Sequence, residues 1–256
     1  MMLSLISRRA VVLTFSAMAF LALAGRTNAG DLAVTDGQKI AFMGDSITQG
    51  GAKGPKGYVN LVISGLEANG IKAVSIPAGI SGHKSNQMLA RLEKDVLSKK
   101  PDWMTLSCGV NDVWHGEKGV ALDQYKENIT KIIDQCQAAN IKVMILTATM
   151  IKEDQANELN QKLVQYNEFL RTLAKEKKCL LADLNADMQA AVGKADKTEK
   201  KNILTTDGVH MNAAGNRMMA VGVLKAFGLN DEQIAKAEKQ WPPAVDEPKV
   251  KKPAKG

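Results

Sequence analysis

A serine stands at the point where an apolar run ends abruptly. The segment KIAFM, residues 39–43, has the length and apolar character of a buried strand. Gly44, Asp45 and Ser46 follow it and are too small or too polar to continue that strand. A hydroxyl on a tight turn at a strand end can serve as a nucleophile, provided that a base takes its proton during attack. The same position also suits a capping serine, so Ser46 alone leaves both interpretations open.

Three histidines are available as that base: His83, His115 and His210. Two of them follow an aspartate by three positions, His115 after Asp112 and His210 after Asp207. On a loop, either carboxylate could orient its imidazole and stabilise the protonated ring. Spacing alone therefore does not decide between His115 and His210.

Acyl transfer also requires hydrogen-bond donors directed at the oxyanion of the tetrahedral intermediate. The available donors are the N–H of Ser46, the N–H of Gly82 in AGISGHKS and the side-chain amide of Asn111 in GVNDVWHG. If His115 were the base, one short loop would have to supply both an oxyanion donor and the base. This argument mildly favours the separate loop of His210.

The neighbours of these residues are expected to have structural roles. Asp45 and Asp112 are interpreted as turn or packing carboxylates, and Gly79 is predicted to permit a positive φ. Two histidines are candidates for the rim of the site, unless His115 is the base, and a tryptophan next to His115 suits the wall of a substrate pocket as well as it suits packing. These candidate pocket residues are Trp114, His83 and His115.

The elements that must position these residues alternate along the chain. Past residue 30, the strand-like segments are KIAFM, KAVSIPA, DWMTLSC, KVMILTAT and CLLADL, and amphipathic helical segments lie between them. Strands that alternate with helices predict one parallel sheet covered on both faces. Ligands in such sheets bind beyond the carboxyl ends of the strands, which is where the candidate residues follow their strands.

The two ends of the chain differ from this alternating part. Residues 1–29 begin with a basic stretch, continue with an apolar run over 10–24 and end in small residues, which is typical of a secretory signal peptide. The run is shorter than the roughly 20 residues that span a bilayer, so stable membrane insertion after signal removal is not expected. Export to the periplasm or the cell exterior is predicted. Residues 241–256 are rich in Pro and Lys and predict a disordered tail.

Charge and cysteine content exclude some classes of protein. The formal net charge is +7, but three arginines lie in residues 1–29 and the tail carries four lysines against two acids. The remaining body is close to +2, which does not favour a nucleic-acid partner. Three cysteines without a CxxC pair do not predict a disulfide framework or a zinc site, and one disulfide or free thiols both remain open.

Four short blocks, GDSIT, GISG, GVND and DGVH, occur in an order and spacing that resemble the GDSL-type, or SGNH, serine hydrolases. The resemblance extends from about Lys39 to about Gly228 and departs at Pro77, where the family often carries Asn. It implies an α/β fold over residues 30–240, a flavodoxin-like three-layer α/β/α arrangement with a five-stranded parallel sheet. This is the SGNH hydrolase fold.

The resemblance also implies roles for individual residues. Ser46 would be the nucleophile, with His210 as base and Asp207 as its orienting carboxylate, and this implication selects His210 over His115. The oxyanion hole would consist of Ser46, Gly82 and Asn111. No metal and no organic cofactor are implied.

The expected function is that of an exported serine esterase that acts through an acyl-enzyme. A short acyl group, most simply acetyl on a carbohydrate, is the predicted substrate, mainly because the predicted export and the resemblance imply it. Short intervals between the blocks also leave little room for a lid or lipid tunnel. A lysophospholipase or thioesterase with longer acyl chains is the alternative within the class, and acyl transfer to a sugar is another. A non-catalytic binding protein on the same fold is the alternative from a different class. The oligomeric state is not predicted.

Overall fold

The computed structural model describes residues 32–195 and 202–243. The predicted signal peptide, residues 1–29, and residues 244–256 of the predicted tail lie outside the described residues. Within the described ranges, no helix is both long enough and apolar enough to cross a membrane.

The described chain forms one parallel sheet, as the alternation of strands and helices predicts. Its strand order is β2-β1-β3-β4-β5, and every neighbouring pair is parallel. The strands are β1 (Lys39–Gly44), β2 (Val74–Gly79), β3 (Trp103–Ser107), β4 (Lys142–Leu146) and β5 (Leu180–Ala182). The helices are α1 (Ser46–Gly51), α2 (Tyr58–Ala68), α3 (Ser85–Asp95), α4 (Val110–Trp114), α5 (Leu122–Ala138), α6 (Glu158–Glu176), α7 (Leu184–Lys194), α8 (Ala213–Ala226) and α9 (Asp231–Glu238).

Burial follows the position of each strand in the sheet. The central strands β1 and β3 are buried on both faces apart from Lys39, which is why they read as continuous apolar runs. The strand β2 lies at the edge and leaves Val74 exposed. Pro77 lies in this edge strand, where a residue without an N–H is tolerated.

Two groups of helices cover the sheet. The helices α2, α8 and α9 pack together, and α3, α5 and α6 form the other group. The chain crosses from β1 to β2 in one direction and from β2 back past β1 to β3 in the other, so right-handed crossovers place the two groups on opposite faces. The apolar stripe of α6 is buried as predicted, with Leu163, Tyr166 and Leu170 each about 1% exposed. The three-layer α/β/α prediction is confirmed.

The packed domain extends slightly further than the predicted boundary at residue 240. Trp241 is 5% exposed, its Nε1–H donates to the Leu61 carbonyl at 3.0 Å, and the guanidinium of Arg217 lies 5.4 Å from its ring centroid. Burying a large indole with its N–H satisfied ties the end of the described chain to α2 and α8.

The strand order places a topological switch point beside β1. The chain leaves β1 for β2 on one side, whereas β3 lies on the other side. A crevice forms at the carboxyl ends of strands where connections diverge in this way. The segments after β1, β2 and β3, which carry Ser46, Gly82 and Asn111, therefore meet at one edge of the sheet.

Candidate active site

Ser46 is the first residue of α1, directly beyond the end of β1. The cap of this helix is Asp45, whose Oδ1 accepts a hydrogen bond from the Ile47 N–H at 2.9 Å. The Ser46 hydroxyl is therefore not needed as a cap, and its Oγ lies 2.9 Å from the Nε2 atom of His210. Gly44 allows the sharp entry into α1, because a Cβ at that position would collide with the Thr48 side chain.

Asp207 and His210 form a hydrogen-bonded pair on the loop before α8. The Nδ1 atom of His210 lies 2.6 Å from Asp207 Oδ2, while the side chains of His210 and Asp207 are 44% and 51% exposed. The other carboxylate oxygen, Oδ1, accepts the backbone N–H groups of Val209 and His210 at 3.0 and 2.8 Å. These contacts fix the carboxylate within its own loop, so it presents one oxygen to the imidazole.

The electrostatics of Asp207 favour its charged form. Partial burial alone would raise its pKa, but the hydrogen bonds from the His210 ring, the His210 N–H and the Val209 N–H outweigh this effect. The pKa of Asp207 therefore lies below its ordinary value. An ionised Asp207 can hold the Nδ1–H tautomer of His210, which leaves Nε2 as the acceptor facing Ser46.

Asn111 lies on the short helix α4 rather than on the loop that the sequence predicted. Its Nδ2 group donates to Asp45 Oδ2 at 3.1 Å and to the His83 carbonyl at 3.3 Å. Asp45 is 2% exposed, and burial raises its pKa to about 6 despite the lowering effect of the Ile47 hydrogen bond. The expected turn-stabilising role of Asp45 is present, and this residue also orients the Asn111 amide.

Two backbone donors are free at this edge of the sheet. Gly82 adopts a φ of +75° in the turn between β2 and α3, a conformation that favours glycine. None of the described residues accepts its N–H. The N–H of Ser46, at the first position of α1, has no partner within its helix. Both groups are thus available to a ligand.

The sequence analysis predicted that Gly79 permits a positive φ, and this prediction is wrong. Gly79 does not have a positive φ in this structure. A Cβ at this position would instead collide with the backbone of Gln49 on α1. Glycine is required here because β2 and α1 approach closely, which brings the turn after β2 next to the helix that begins with Ser46.

Arg91 organises the same edge and was missed by the sequence analysis. Its guanidinium is 9% exposed and donates to the carbonyls of Gly44 and Ala78, each at 2.8 Å, and its Nε–H donates to His83 Nδ1 at 3.1 Å. Asp95 balances the charge at 2.9 Å. Burial and the neighbouring guanidinium lower the pKa of His83. The signal that could have identified Arg91 in the sequence is a charged residue on the apolar face of the helical segment that forms α3.

The second aspartate–histidine spacing does not form a pair. The carboxylate of Asp112 is buried and accepts the Ser85 N–H at 2.9 Å and the Cys108 thiol at 3.4 Å. His115 lies at the end of α4 and is exposed, as is Trp114, which is 39% exposed. Asp112 therefore has a structural environment, whereas the two rings face solvent.

Among the described residues, the cysteines form no disulfide and the polar clusters form no metal site. Cys108, Cys136 and Cys179 are all free thiols. Over residues 32–195 and 202–243, no group of three His, Cys, Asp or Glu side chains is placed to hold a metal ion.

Comparison with known proteins relates this geometry to one family. The sequence model of the GDSL-like Lipase/Acylhydrolase family matches residues 42–218. The acetylxylan esterase of Geobacillus stearothermophilus is 30% identical over 216 residues, which is 76% of this chain and 96% of that esterase.

Solved structures agree with the sequence comparison. The crystal structure of Axe2, an acetylxylan esterase from Geobacillus stearothermophilus, has a TM-score of 0.70 and 27% identity over 77% of this chain and 97% of its own. The crystal structure of the acetyl xylan esterase AlAXEase has a TM-score of 0.68 and 36% identity over 73% of this chain and 98% of its own. The predicted fold and family are confirmed: the chain belongs to the GDSL-like Lipase/Acylhydrolase family and is a serine carboxylic ester hydrolase.

Proposed function

We propose that Ser46 is the nucleophile of this hydrolase, that His210 is its general base and that Asp207 orients His210. The continuous chain Ser46 Oγ–His210 Nε2, 2.9 Å, and His210 Nδ1–Asp207 Oδ2, 2.6 Å, carries this proposal. Solved catalytic mutants of Axe2 replace a serine, an aspartate and a histidine, the last two three positions apart. Asp207 and His210 have the same spacing.

The proposed reaction proceeds through an acyl-enzyme. Ser46 Oγ attacks the ester carbonyl carbon while His210 Nε2 takes the hydroxyl proton, and the resulting imidazolium is stabilised by Asp207. His210 then gives this proton to the departing alcohol oxygen as the carbon–oxygen bond breaks. A water molecule enters, loses a proton to His210 and attacks the acyl carbon, and collapse of the second tetrahedral intermediate releases the acid and restores the Ser46 hydroxyl.

The oxyanion hole is proposed to comprise the N–H groups of Ser46 and Gly82 and the side chain of Asn111. Asp45 holds the Asn111 amide at 3.1 Å, whereas the contact to the His83 carbonyl is longer, 3.3 Å. We propose that the oxyanion replaces the His83 carbonyl as the acceptor of that hydrogen, while Asp45 keeps the amide in place. Such a pre-oriented donor loses little orientational freedom when charge develops.

Replacing Asn111 by alanine is expected to lower kcat by about 100- to 1000-fold, the usual effect of losing one oxyanion donor. KM should change little, because the donor acts mainly on the transition state. Steady-state hydrolysis of p-nitrophenyl acetate measures both constants. The exposed Asn86→Ala on α3 is the matched control and should retain wild-type kcat. An Asn111→Ala enzyme within threefold of wild-type kcat would remove Asn111 from the oxyanion hole.

The substrate is proposed to be a short acyl ester, most simply acetyl carried on a carbohydrate. Two similar proteins are named acetylxylan esterases. The exposed His210 and Asp207 side chains favour a site that a polymer can reach from solvent. Trp114, His83 and His115 are proposed to line this pocket, where an indole and imidazoles can contact a sugar ring.

A series of p-nitrophenyl esters from acetyl to dodecanoyl tests the acyl preference. We expect kcat/KM to be highest for acetyl and to fall steadily as the chain lengthens, because the open site offers little surface to a long alkyl chain. Acetylated xylooligosaccharides should then release acetate faster than acetylated glycerol does. A maximum at long acyl chains would contradict the short-acyl proposal and favour a lysophospholipase or thioesterase. Activity confined to transfer onto added sugar would identify an acyltransferase.

Export is also proposed, from the basic, apolar and small-residue segments of residues 1–29. Mass spectrometry of the exported protein tests this proposal, with a mature chain that starts at Gly30 as the expected result. Retention of the full-length chain in the cytoplasm would contradict it.

A further inference from the structure

The loop that follows β4 is bonded to the loop that carries His210. We define the β4–α6 loop as residues 147–157 and the His210 loop as residues 203–212. Glu153 is the main link: its Oε2 accepts the Ile203 N–H at 2.8 Å, and its Oε1 accepts the Leu204 N–H at 2.9 Å and the Thr205 hydroxyl at 2.6 Å. One carboxylate thus satisfies three consecutive donors on a segment 50 residues away in the sequence.

These bonds continue toward the Asp207–His210 pair. The Thr205 hydroxyl, in a residue 3% exposed, accepts the Gly208 N–H at 3.1 Å, and the Lys152 N–H donates to the Gly208 carbonyl at 2.6 Å. Gly208 has a φ of +94°, and a Cβ there would lie 3.0 Å from Lys152 Cα. The tip of the His210 loop is therefore held against the β4–α6 loop by Glu153 and by the backbone of Lys152.

Hydrogen bonds of the Asn160 side chain hold the β4–α6 loop in the conformation that makes this contact. The Asn160 side chain is 2% exposed, accepts the Ile151 N–H at 2.8 Å and donates to the carbonyls of Ile151 and Asp154 at 2.6 Å each. Lys152 and Glu153 have φ values of +62° and +45°, which cost about 1 kcal/mol or more for residues with a Cβ. Such conformations persist only where surrounding contacts hold them.

We propose that Glu153 is a positioning residue of the esterase, which sets the placement of the His210 ring relative to Ser46 Oγ through residues 203–205. The inference rests on the proposed roles of Ser46 and His210. The proposed role places a specific requirement on residue 153, because one side chain must accept hydrogen bonds from three donors. Glutamine does not meet this requirement, because it has one acceptor oxygen and its NH₂ group would face other donors. Aspartate does not meet it either, because its side chain is one methylene shorter. The expected result of removing Glu153 is a small displacement of the His210 ring, since the loop keeps its Lys152 contact.

The test compares Glu153→Gln with wild type and with Glu158→Gln, an exposed carboxylate in the first turn of α6. We expect Glu153→Gln to lower kcat for p-nitrophenyl acetate on the order of 10- to 100-fold, with KM within about twofold, because a displacement of about 1 Å can cost that much. Each rate is divided by the concentration of folded protein, and the folded fraction is measured by circular dichroism. The low-field proton resonance of His210 Nδ1–H should shift or broaden in Glu153→Gln and stay in place in Glu158→Gln.

A second variant keeps the inference testable if Glu153→Gln folds poorly. Thr205→Val removes the hydroxyl that donates to Glu153 and accepts from Gly208, with little change in volume. It should lower kcat in the same direction, and the double variant should lose less than the product of the two single losses, because the pair shares a hydrogen bond.

The outcomes separate this inference from the proposed function. If the wild type shows Ser46-dependent turnover while both Glu153→Gln and Thr205→Val keep wild-type kcat and an unshifted resonance, Glu153 is not a positioning residue. If the wild type itself shows no Ser46-dependent turnover, the proposed function fails first. A tenfold loss of kcat in Glu153→Gln but not in Glu158→Gln supports the inference.

Discussion

We expect replacement of the proposed base His210 by alanine to lower kcat for p-nitrophenyl acetate by about four to six orders of magnitude, the usual range when the base of a serine hydrolase is removed. The reason is that Nε2, which lies 2.9 Å from Ser46 Oγ, is the group that we propose takes the serine proton. Without it the hydroxyl is a weak nucleophile at neutral pH.

The control for this prediction is His115→Ala. His115 also follows an aspartate by three positions, but Asp112 bonds Ser85 and Cys108 instead of the His115 ring. We expect His115→Ala to change kcat by no more than about tenfold, an effect in the range of a substrate contact. Near-wild-type turnover by His210→Ala, together with an inactive His115→Ala, would show that the other loop provides the base.

Replacing Ser46 by alanine should cost as much as replacing His210, again about four to six orders of magnitude in kcat, because a nucleophile and its base, the roles that we propose for these residues, act as one unit. The folded structure should persist, since Asp45 and not Ser46 caps α1. Equal thermal unfolding midpoints for Ser46→Ala and wild type would confirm that the loss is chemical.

The matched control is Ser64→Ala on α2, whose hydroxyl, among the residues that the structure describes, bonds only the Leu61 carbonyl of the same helix. This variant should keep wild-type kcat. Measurements use a chain of residues 30–256, with product formation followed at saturating ester. Residual Ser46→Ala activity above one hundredth of wild type would indicate a different nucleophile.

The fold could be predicted from simple sequence patterns, whereas the Ser46–His210 contact was an implication of the resemblance to a known family. Alternating apolar strands and amphipathic helices are enough to predict a parallel sheet, and its strand ends bring distant residues to one edge. Ser46 and His210 are 164 residues apart in the chain, yet their side chains meet where the segment after β1 and the loop before α8 come together. The three-residue spacing allows the Asp207–His210 contact, but the same spacing of Asp112 and His115 gives no contact, so the family resemblance was needed to select His210.

The missed features depend on side-chain orientation and on pairing between loops. A five-residue helix such as α4 is too short for a periodic pattern, so Asn111 was assigned to a loop. Its contact with Asp45 connects segments at the ends of two strands. Neither residue type indicates in the sequence that the two side chains form a hydrogen bond. Glu153 lies in a polar stretch, KEDQ, where acidic residues are usually solvated. Its three acceptor contacts arise only when two loops are brought together by the fold.

The most direct test of the central claim is covalent labelling of the folded protein, residues 30–256, with a serine-directed fluorophosphonate, followed by peptide mass spectrometry. The probe reacts with a serine that is activated by a base, so labelling reports the nucleophile without requiring the natural substrate. Our account predicts one label per chain on Ser46, greatly slowed labelling in His210→Ala and none in Ser46→Ala or in unfolded wild type. Folded wild-type protein that stays unlabelled at Ser46, or that is labelled at another serine, would contradict it.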